Sequence, residues 1–438
     1  MTETPIKLDH RNLLAQAVGD HGITAEEAAN LPHRIRGMRS RLAMERKQGL
    51  HEYLALPGDD LMIEQVLRVA QPRMGRFESL ILIGIGGSAL GLRALVRALS
   101  PFGTPGPELF IIDNTDPALY AEVASRANLK RSLIVVVSKS GGTLESVIAL
   151  GYFVERLREA KCDLREHLIV VTDPEKGPLR AFADKYDLDS LAIPPGVGGR
   201  FSVLTAAGLL PAALMSVDIA GLIGGAAAAE RASWQGEPEA DWPATLGLLV
   251  TDLCRKRGKH NVVFMPYTSR LDACADWFVQ LWDESLGKSR ALDGTAIEAG
   301  QTAVRAIGAT DQHAQLQLFL EGPNDKAVVL LKIEKHEADV HAGKFEWADF
   351  DAAFVADKTL GQIINAQLDG TAQALAERKR PNATLTLPRL NSHGLGELML
   401  GLELATSYAG FAWGINAYDQ PGVELGKRLS RRILGVKT

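Results

Sequence analysis

The sequence predicts an α/β protein of two doubly wound units, with mainly parallel sheets flanked by helices and helical segments at both ends. Two patterns carry that expectation. Short apolar runs bounded by turn residues alternate with longer stretches of helical period, as in βαβ crossovers. Glycine-bearing turns also stand twice where such a run enters a helix. A length of 438 residues suits two or three domains.

Taken in order, residues 1–58 read as a helical segment with charged faces and a break at His21–Gly22. The first α/β unit, 59–232, has strands expected at Ser79–Ile85, Leu109–Asp113, Ser132–Ser138, His167–Thr172 and Ser190–Ile193. Helices are expected near Ala89–Leu99, Pro117–Ala127 and Leu144–Ala160. From Ala206 to Ala229 the only charge is Asp218, a stretch long enough on paper to span a bilayer. Pro211, Gly221, Gly224 and Gly225 interrupt it and no basic flank follows, so two short buried helices meeting near Asp218 are expected instead. The polar, turn-rich Ser233–Asp241 marks a boundary. A second α/β unit, 242–415, then has strands at Asn261–Met265, Ala327–Ile333 and Thr384–Leu387. Its helices are Ala244–Arg255, Asp272–Leu286, Asp311–Leu320, Leu360–Glu377 and Leu395–Trp413. Residues 416–438 close the chain with a helix from Val423 to Ile433.

A hydrophobic fraction of 46% with 23% charged residues is ordinary for a globular protein and excludes a disordered tail or a disulfide miniprotein. The net charge is −5 and no basic block occurs, so no nucleic-acid partner is expected. Cys162, Cys254 and Cys274 are far apart and odd in number, and the N-terminus lacks an apolar leader; both point to a reducing cytosol and no membrane. The histidines are scattered. His336 and His341 lie in the charged segment EKHEADVHAGKFE, read as a solvated face or loop, and no ligand spacing implies a metal.

Four places could carry chemistry. In Ile83–Ala89 (IGIGGSA), glycines allow a tight turn and offer helix N-terminal N–H groups to an anion. Gly84, Gly86 and Ala89 also satisfy the dinucleotide pattern, with Asp113 ending the next strand, so a dehydrogenase is a rival reading. The second place is Ser138–Thr143 (SKSGGT). Three hydroxyls, one ammonium and two glycines make a compact acceptor for a phosphate dianion, against the simpler reading of a serine-rich helix cap. Third, Arg200 follows the pair Gly198–Gly199 and can reach an oxyanion, although a surface arginine in a loop is commoner. Fourth, Gln280 and Glu284 share a helix face, and Gly287 stops that helix, which sets Glu284 in its last turn. The negative helix end should push the Glu284 pKa upward, as a general base near neutral pH requires; a solvated glutamate is the plainer alternative.

The run Ala417–Lys427 (AYDQPGVELGK) closely resembles the C-terminal signature of phosphoglucose isomerases, Y-D-Q-x-G-V-E-x-x-K. With it, the other places follow in family order, from about residue 60 to about 435. The resemblance implies two sugar isomerase (SIS) domains, a homodimer, and reversible conversion of glucose 6-phosphate to fructose 6-phosphate without a cofactor. It implies that Gly87 and Ser88 lie against the sugar, and that Ser138, Lys139, Ser140 and Thr143 hold the phosphate with Glu145 nearby. Arg200 would stabilise an enediolate, Gln280 would position the substrate and Glu284 would be the base. His313 and Lys427 would assist ring opening with Gln420 nearby, the histidine reaching in from the neighbouring subunit. Gly141, Gly142 and Leu286 depart from many relatives, which bears on substrate breadth. Activity on mannose 6-phosphate as well, or a non-catalytic sugar-phosphate sensor, are the alternatives; the retained Glu284 argues against a sensor.

Overall fold

The computed structural model describes residues 4–100, 106–344 and 353–435. The remaining residues of the expected segments, including Phe345 and Glu346 of the charged segment and the tail 436–438, lie outside the described residues.

The first sheet is built from β2 (Ser79–Ile83), β3 (Glu108–Ile112), β4 (Ser132–Ser138), β5 (Leu168–Thr172) and β6 (Ser190–Ala192), following β1 (Lys7–Asp9), which belongs elsewhere. Its order is β3-β2-β4-β5-β6 and every pairing is parallel. β2, β4 and β5 are buried throughout, as strands covered by helices on both faces must be. Alternation divides their side chains. Leu82, Val135 and Val171 join the large core, whereas Ile81, Ile134 and Val170 pack under Phe153 and Leu157 on the other face.

The second sheet contains β1 with β7 (Asn261–Pro266), β10 (Thr302–Arg305), β11 (Lys326–Lys335) and β12 (Asn382–Arg389), in the order β1-β12-β11-β7-β10. It is parallel except for β1, which runs antiparallel along the edge of β12. A small antiparallel pair, β8 (Lys288–Arg290) with β9 (Ala296–Ala299), lies between β7 and β10 in the chain. One continuous core joins both sheets: Leu82 and Val135 belong to the same apolar cluster as Phe264, Val329 and Leu385.

Three expectations need correction. The segment 1–58 is not wholly helical, because Lys7–Asp9 adds an edge strand, with Ile6 buried and its N–H donating to Glu397 Oε1 at 2.8 Å. Three residues are too few to show a strand period. β10, with four residues, is likewise short and was unforeseen. The helix expected over Asp311–Leu320 forms only from Leu316 to Glu321. The Asp311 carboxylate instead accepts from Ile307 N at 2.6 Å, and Thr310–His313 makes a 3₁₀ turn, an instance of a short acidic side chain competing for backbone donors.

The apolar stretch Ala206–Ala229 divides into the helices Ala206–Leu214 and Ile219–Gln235. Asp218 starts the second by accepting from Gly221 N at 2.9 Å, the usual work of an N-cap aspartate. Among the described residues no helix is long and apolar enough to cross a membrane. The Ser233–Asp241 stretch packs against its surroundings: buried Asp241 caps the helix Trp242–Arg257 through Ala244 N and accepts from Arg39 Nε at 2.8 Å.

Candidate active site

Parallel strands deliver their C-terminal turns to one edge, and both glycine-bearing turns emerge there. After β2 the chain forms the 3₁₀ turn Gly86–Ser88 and enters the helix Leu90–Leu99. Gly86 has φ +58°, a backbone conformation few side chains tolerate. A Cβ on Gly87 would stand 2.0 Å from the carbonyl oxygen of Gly199, so glycine lets this turn touch the loop that carries Arg200.

The second turn follows buried Ser138. Ser138 Oγ lies 3.2 Å from Thr143 Oγ1, and Ser140 Oγ lies 3.4 Å from the same atom. Thr143 occupies the N-cap position of the helix Leu144–Glu159 without making a side-chain capping bond. Capping therefore does not account for its hydroxyl. Three hydroxyls gather instead at a helix N-terminus, where free amides and the dipole favour an anion. Glu145 stands in the first turn of that helix. Lys139 is turned another way: Nζ donates to the carbonyls of Pro195 at 2.6 Å and Val197 at 2.9 Å, which leaves one of its three donors. Burial lowers its pKa, with Glu52 and Asp173 opposing. Glu52 braces the same loop by accepting from Gly196 N at 2.9 Å.

Arg200 is buried, 2% exposed, where the plain sequence reading made it a surface residue. Its Nε donates to Ser285 Oγ at 2.6 Å and Nη1 to Gln420 Oε1 at 2.9 Å; Nη2 donates to the carbonyls of Ala417 and Asp419 at 2.5 and 3.0 Å. Nη1 also stands 3.8 Å from Glu284 Oε2. Gln280 Nε2 donates to Glu284 Oε2 at 3.1 Å, and a Cβ on Gly86 would come within 2.9 Å of that nitrogen. Gln280 thus spans from the first glycine turn to the carboxylate. The structure brings Gly87, Arg200, Gln280, Glu284 and Gln420 into one neighbourhood, with a fixed guanidinium beside a half-buried carboxylate. Such a pair can take a proton from carbon and stabilise the oxyanion that results.

The helix Asp272–Leu286 ends before Gly287, as expected, yet Gly287 is not left-handed, with φ −69°. The end is capped by Lys288, whose Nζ donates to the carbonyls of Glu284 and Ser285, each at 2.8 Å. Sequence reasoning missed this residue, as it missed Ser285, Glu52 and the carbonyls of Ala417 and Asp419. A cation one residue beyond a helix-stopping glycine was the available signal. His313 and Lys427 are exposed, and neither hydrogen-bonds to Arg200 or Glu284; Lys427 Nζ donates to Glu424 Oε1 at 2.8 Å.

The paired sheets make a fold found in other solved structures. The tagatose-6-phosphate ketose/aldose isomerase of Escherichia coli shares the fold, with a TM-score of 0.51 over 91% of this chain and 94% of that one at 15% identity. The particular family follows from closer matches: residues 72–437 match phosphoglucose isomerase, and the chain belongs to that family of aldose–ketose isomerases. Glucose-6-phosphate isomerase of Rubrobacter xylanophilus is 39% identical, with 98% of each chain covered. That of a strain of Thermus thermophilus is also 39% identical, over 98% of this chain and 99% of the relative. A crystal structure of a hypothetical protein from the same Thermus strain superimposes with a TM-score of 0.88, covering 98% of this chain and 100% of that one at 37% identity. A glucose-6-phosphate isomerase structure from Chlamydia trachomatis gives 0.76 at 26% identity, over 85% and 73%.

Proposed function

We propose that this chain interconverts glucose 6-phosphate and fructose 6-phosphate through an enediolate, with Glu284 as the base. The observation that carries the reading is the Glu284 carboxylate 3.8 Å from the buried Arg200 guanidinium. The phosphate binds at the Ser138, Ser140 and Thr143 hydroxyls and the helix amides behind them. Lys139 and Glu145 stand at this loop, where Lys139 anchors the Pro195–Val197 carbonyls and adds its charge at short range. Gly87 and Ser88 lie against the sugar and Gln280 orients it. Glu284 removes the C2 proton of the opened aldose, electron density moves to the carbonyl oxygen O1 beside Arg200, the hydroxyl proton of O2 passes to O1, and Glu284 returns its proton to C1 as the C2 carbonyl forms. A positioned general base supplies about 10²–10⁴-fold, and the preorganised cation adds the electrostatic part. Remote phosphate binding holds the reacting carbons in place. The chain's own groups suffice for this route, so it calls for no cofactor.

Ring opening falls to His313 and Lys427, with Gln420, tied to Arg200, assisting. Their exposure on the single chain supports a homodimer in which His313 enters the neighbouring site. The helix Glu424–Ile433 supports it too: Leu425, Leu429 and Ile433, spaced four apart, are 55%, 36% and 83% exposed. The three free thiols suit the cytosol. Purified protein should convert fructose 6-phosphate to glucose 6-phosphate in a coupled assay. Failure of folded, dimeric protein to do so would overturn the reading.

A further inference from the structure

Lys288 follows the helix Asp272–Leu286 by two residues, and its side chain folds back over the helix end. The last carbonyls of a helix have no backbone donor within it. Gly287 N reaches Asp283 O at 2.9 Å, and of the three carbonyls that follow, the Lys288 ammonium meets Glu284 O and Ser285 O, each at 2.8 Å. The side chain is 6% exposed, a cation enclosed at the negative end of a helix. The charged groups that act on it are Arg200, Asp419, with Oδ1 at 3.8 Å, and Glu284. Ala299, opposite it on β9, brings no charge.

We propose that Lys288 is a positioning residue for the proton transfer: by capping Glu284 O and Ser285 O it holds the last helical turn, and with it both the base and the hydroxyl that orients Arg200. That hydroxyl is Ser285 Oγ, which accepts from Arg200 Nε at 2.6 Å. One loosened turn would therefore move the carboxylate and the guanidinium together. The inference rests on Glu284 being the base. Burial, reinforced by Arg200, brings the Lys288 pKa down to about 8. Above that pH the amine still has N–H donors but no charge to set against the helix end, so kcat should decline along an alkaline limb.

The experiment measures kcat and KM for fructose 6-phosphate from neutral pH to about pH 10, where an ordinary lysine begins to titrate, in wild type, Lys288→Met, Lys288→Arg and Glu284→Gln. Lys288→Met should lose kcat by on the order of 10- to 100-fold, the effect of a small misplacement of reacting groups, with KM near the wild-type value. Its alkaline limb should be absent. Lys288→Arg should recover part of kcat and move the limb to higher pH, since guanidinium does not titrate in this range. A limb unchanged in Lys288→Arg overturns the proposal, even if Lys288→Met does not fold. A Glu284→Gln variant that retains activity would instead overturn the assignment of the base, which separates the two failures.

Discussion

Around Arg200, four hydrogen-bond acceptors take four of the five guanidinium N–H donors, and Nη1 stands 3.8 Å from Glu284. A charge fixed in this way needs no reorganisation when an oxyanion forms beside it. The phosphate end is organised by another device, three hydroxyls gathered at a helix N-terminus. Removing the Ser140 and Thr143 hydroxyls together should raise KM by roughly 100-fold or more, since each hydrogen bond to a charged group contributes about 1.5–3 kcal/mol. Steady-state kinetics of the double alanine variant checks this, and an unchanged KM would place the phosphate elsewhere. Residue types at a strand end made the hydroxyl cluster legible in the sequence, and spacing along a helix did so for the Gln280–Glu284 pair, because both rest on neighbours within five residues. Arg200 was not legible as a buried residue. Its partners lie 85 to 220 positions away, and two of them are backbone carbonyls, which carry no sequence signal.

Whole elements show the same division. β2, β4 and β5 were readable as apolar runs because both their faces are covered. The edge strand Lys7–Asp9, half in solvent and three residues long, has no such run, and its pairing with Thr384–Thr386 is a property of the assembled sheet. The helix Ser392–Trp413 carries a different surprise. Glu403 in it is fully buried, and neither carboxyl oxygen has a hydrogen-bond partner. Burial holds its pKa well above the ordinary carboxylate value. The folded chain therefore keeps a proton that the unfolded chain releases once pH exceeds about 4.3, and stability falls as pH rises through that window. Unfolding in urea at pH 5 and pH 7 should show this loss. Glu403→Gln, which cannot ionise, should lose that part of the slope of stability with pH. Equal slopes in the two proteins would contradict the account.

For the whole molecule, one core beneath two sheets brings residues from opposite ends of the sequence to the same edge. The single chain nevertheless leaves His313 and Lys427 exposed, the latter on the amphipathic C-terminal helix Glu424–Ile433. In the proposed dimer, inactive His313→Ala and inactive Glu284→Gln subunits should restore activity on mixing, because one site of each hybrid receives an intact histidine and an intact base. Subunit exchange shown by mass measurement without recovery would leave each site within its own chain.

The most direct test of the central claim follows the C2 proton itself. Glucose 6-phosphate deuterated at C2 is incubated with wild type, Glu284→Gln and Glu145→Gln, and loss of label to solvent is followed by NMR. Wild type should release label. Glu284→Gln should stop the release and lower kcat by at least the roughly 10²-fold typical of a lost general base, while binding a sugar-phosphate inhibitor almost normally. Glu145→Gln, beside the phosphate loop, should weaken binding and leave the exchange running. Continued exchange in Glu284→Gln together with its abolition in Glu145→Gln would contradict the account and move the base to the other carboxylate.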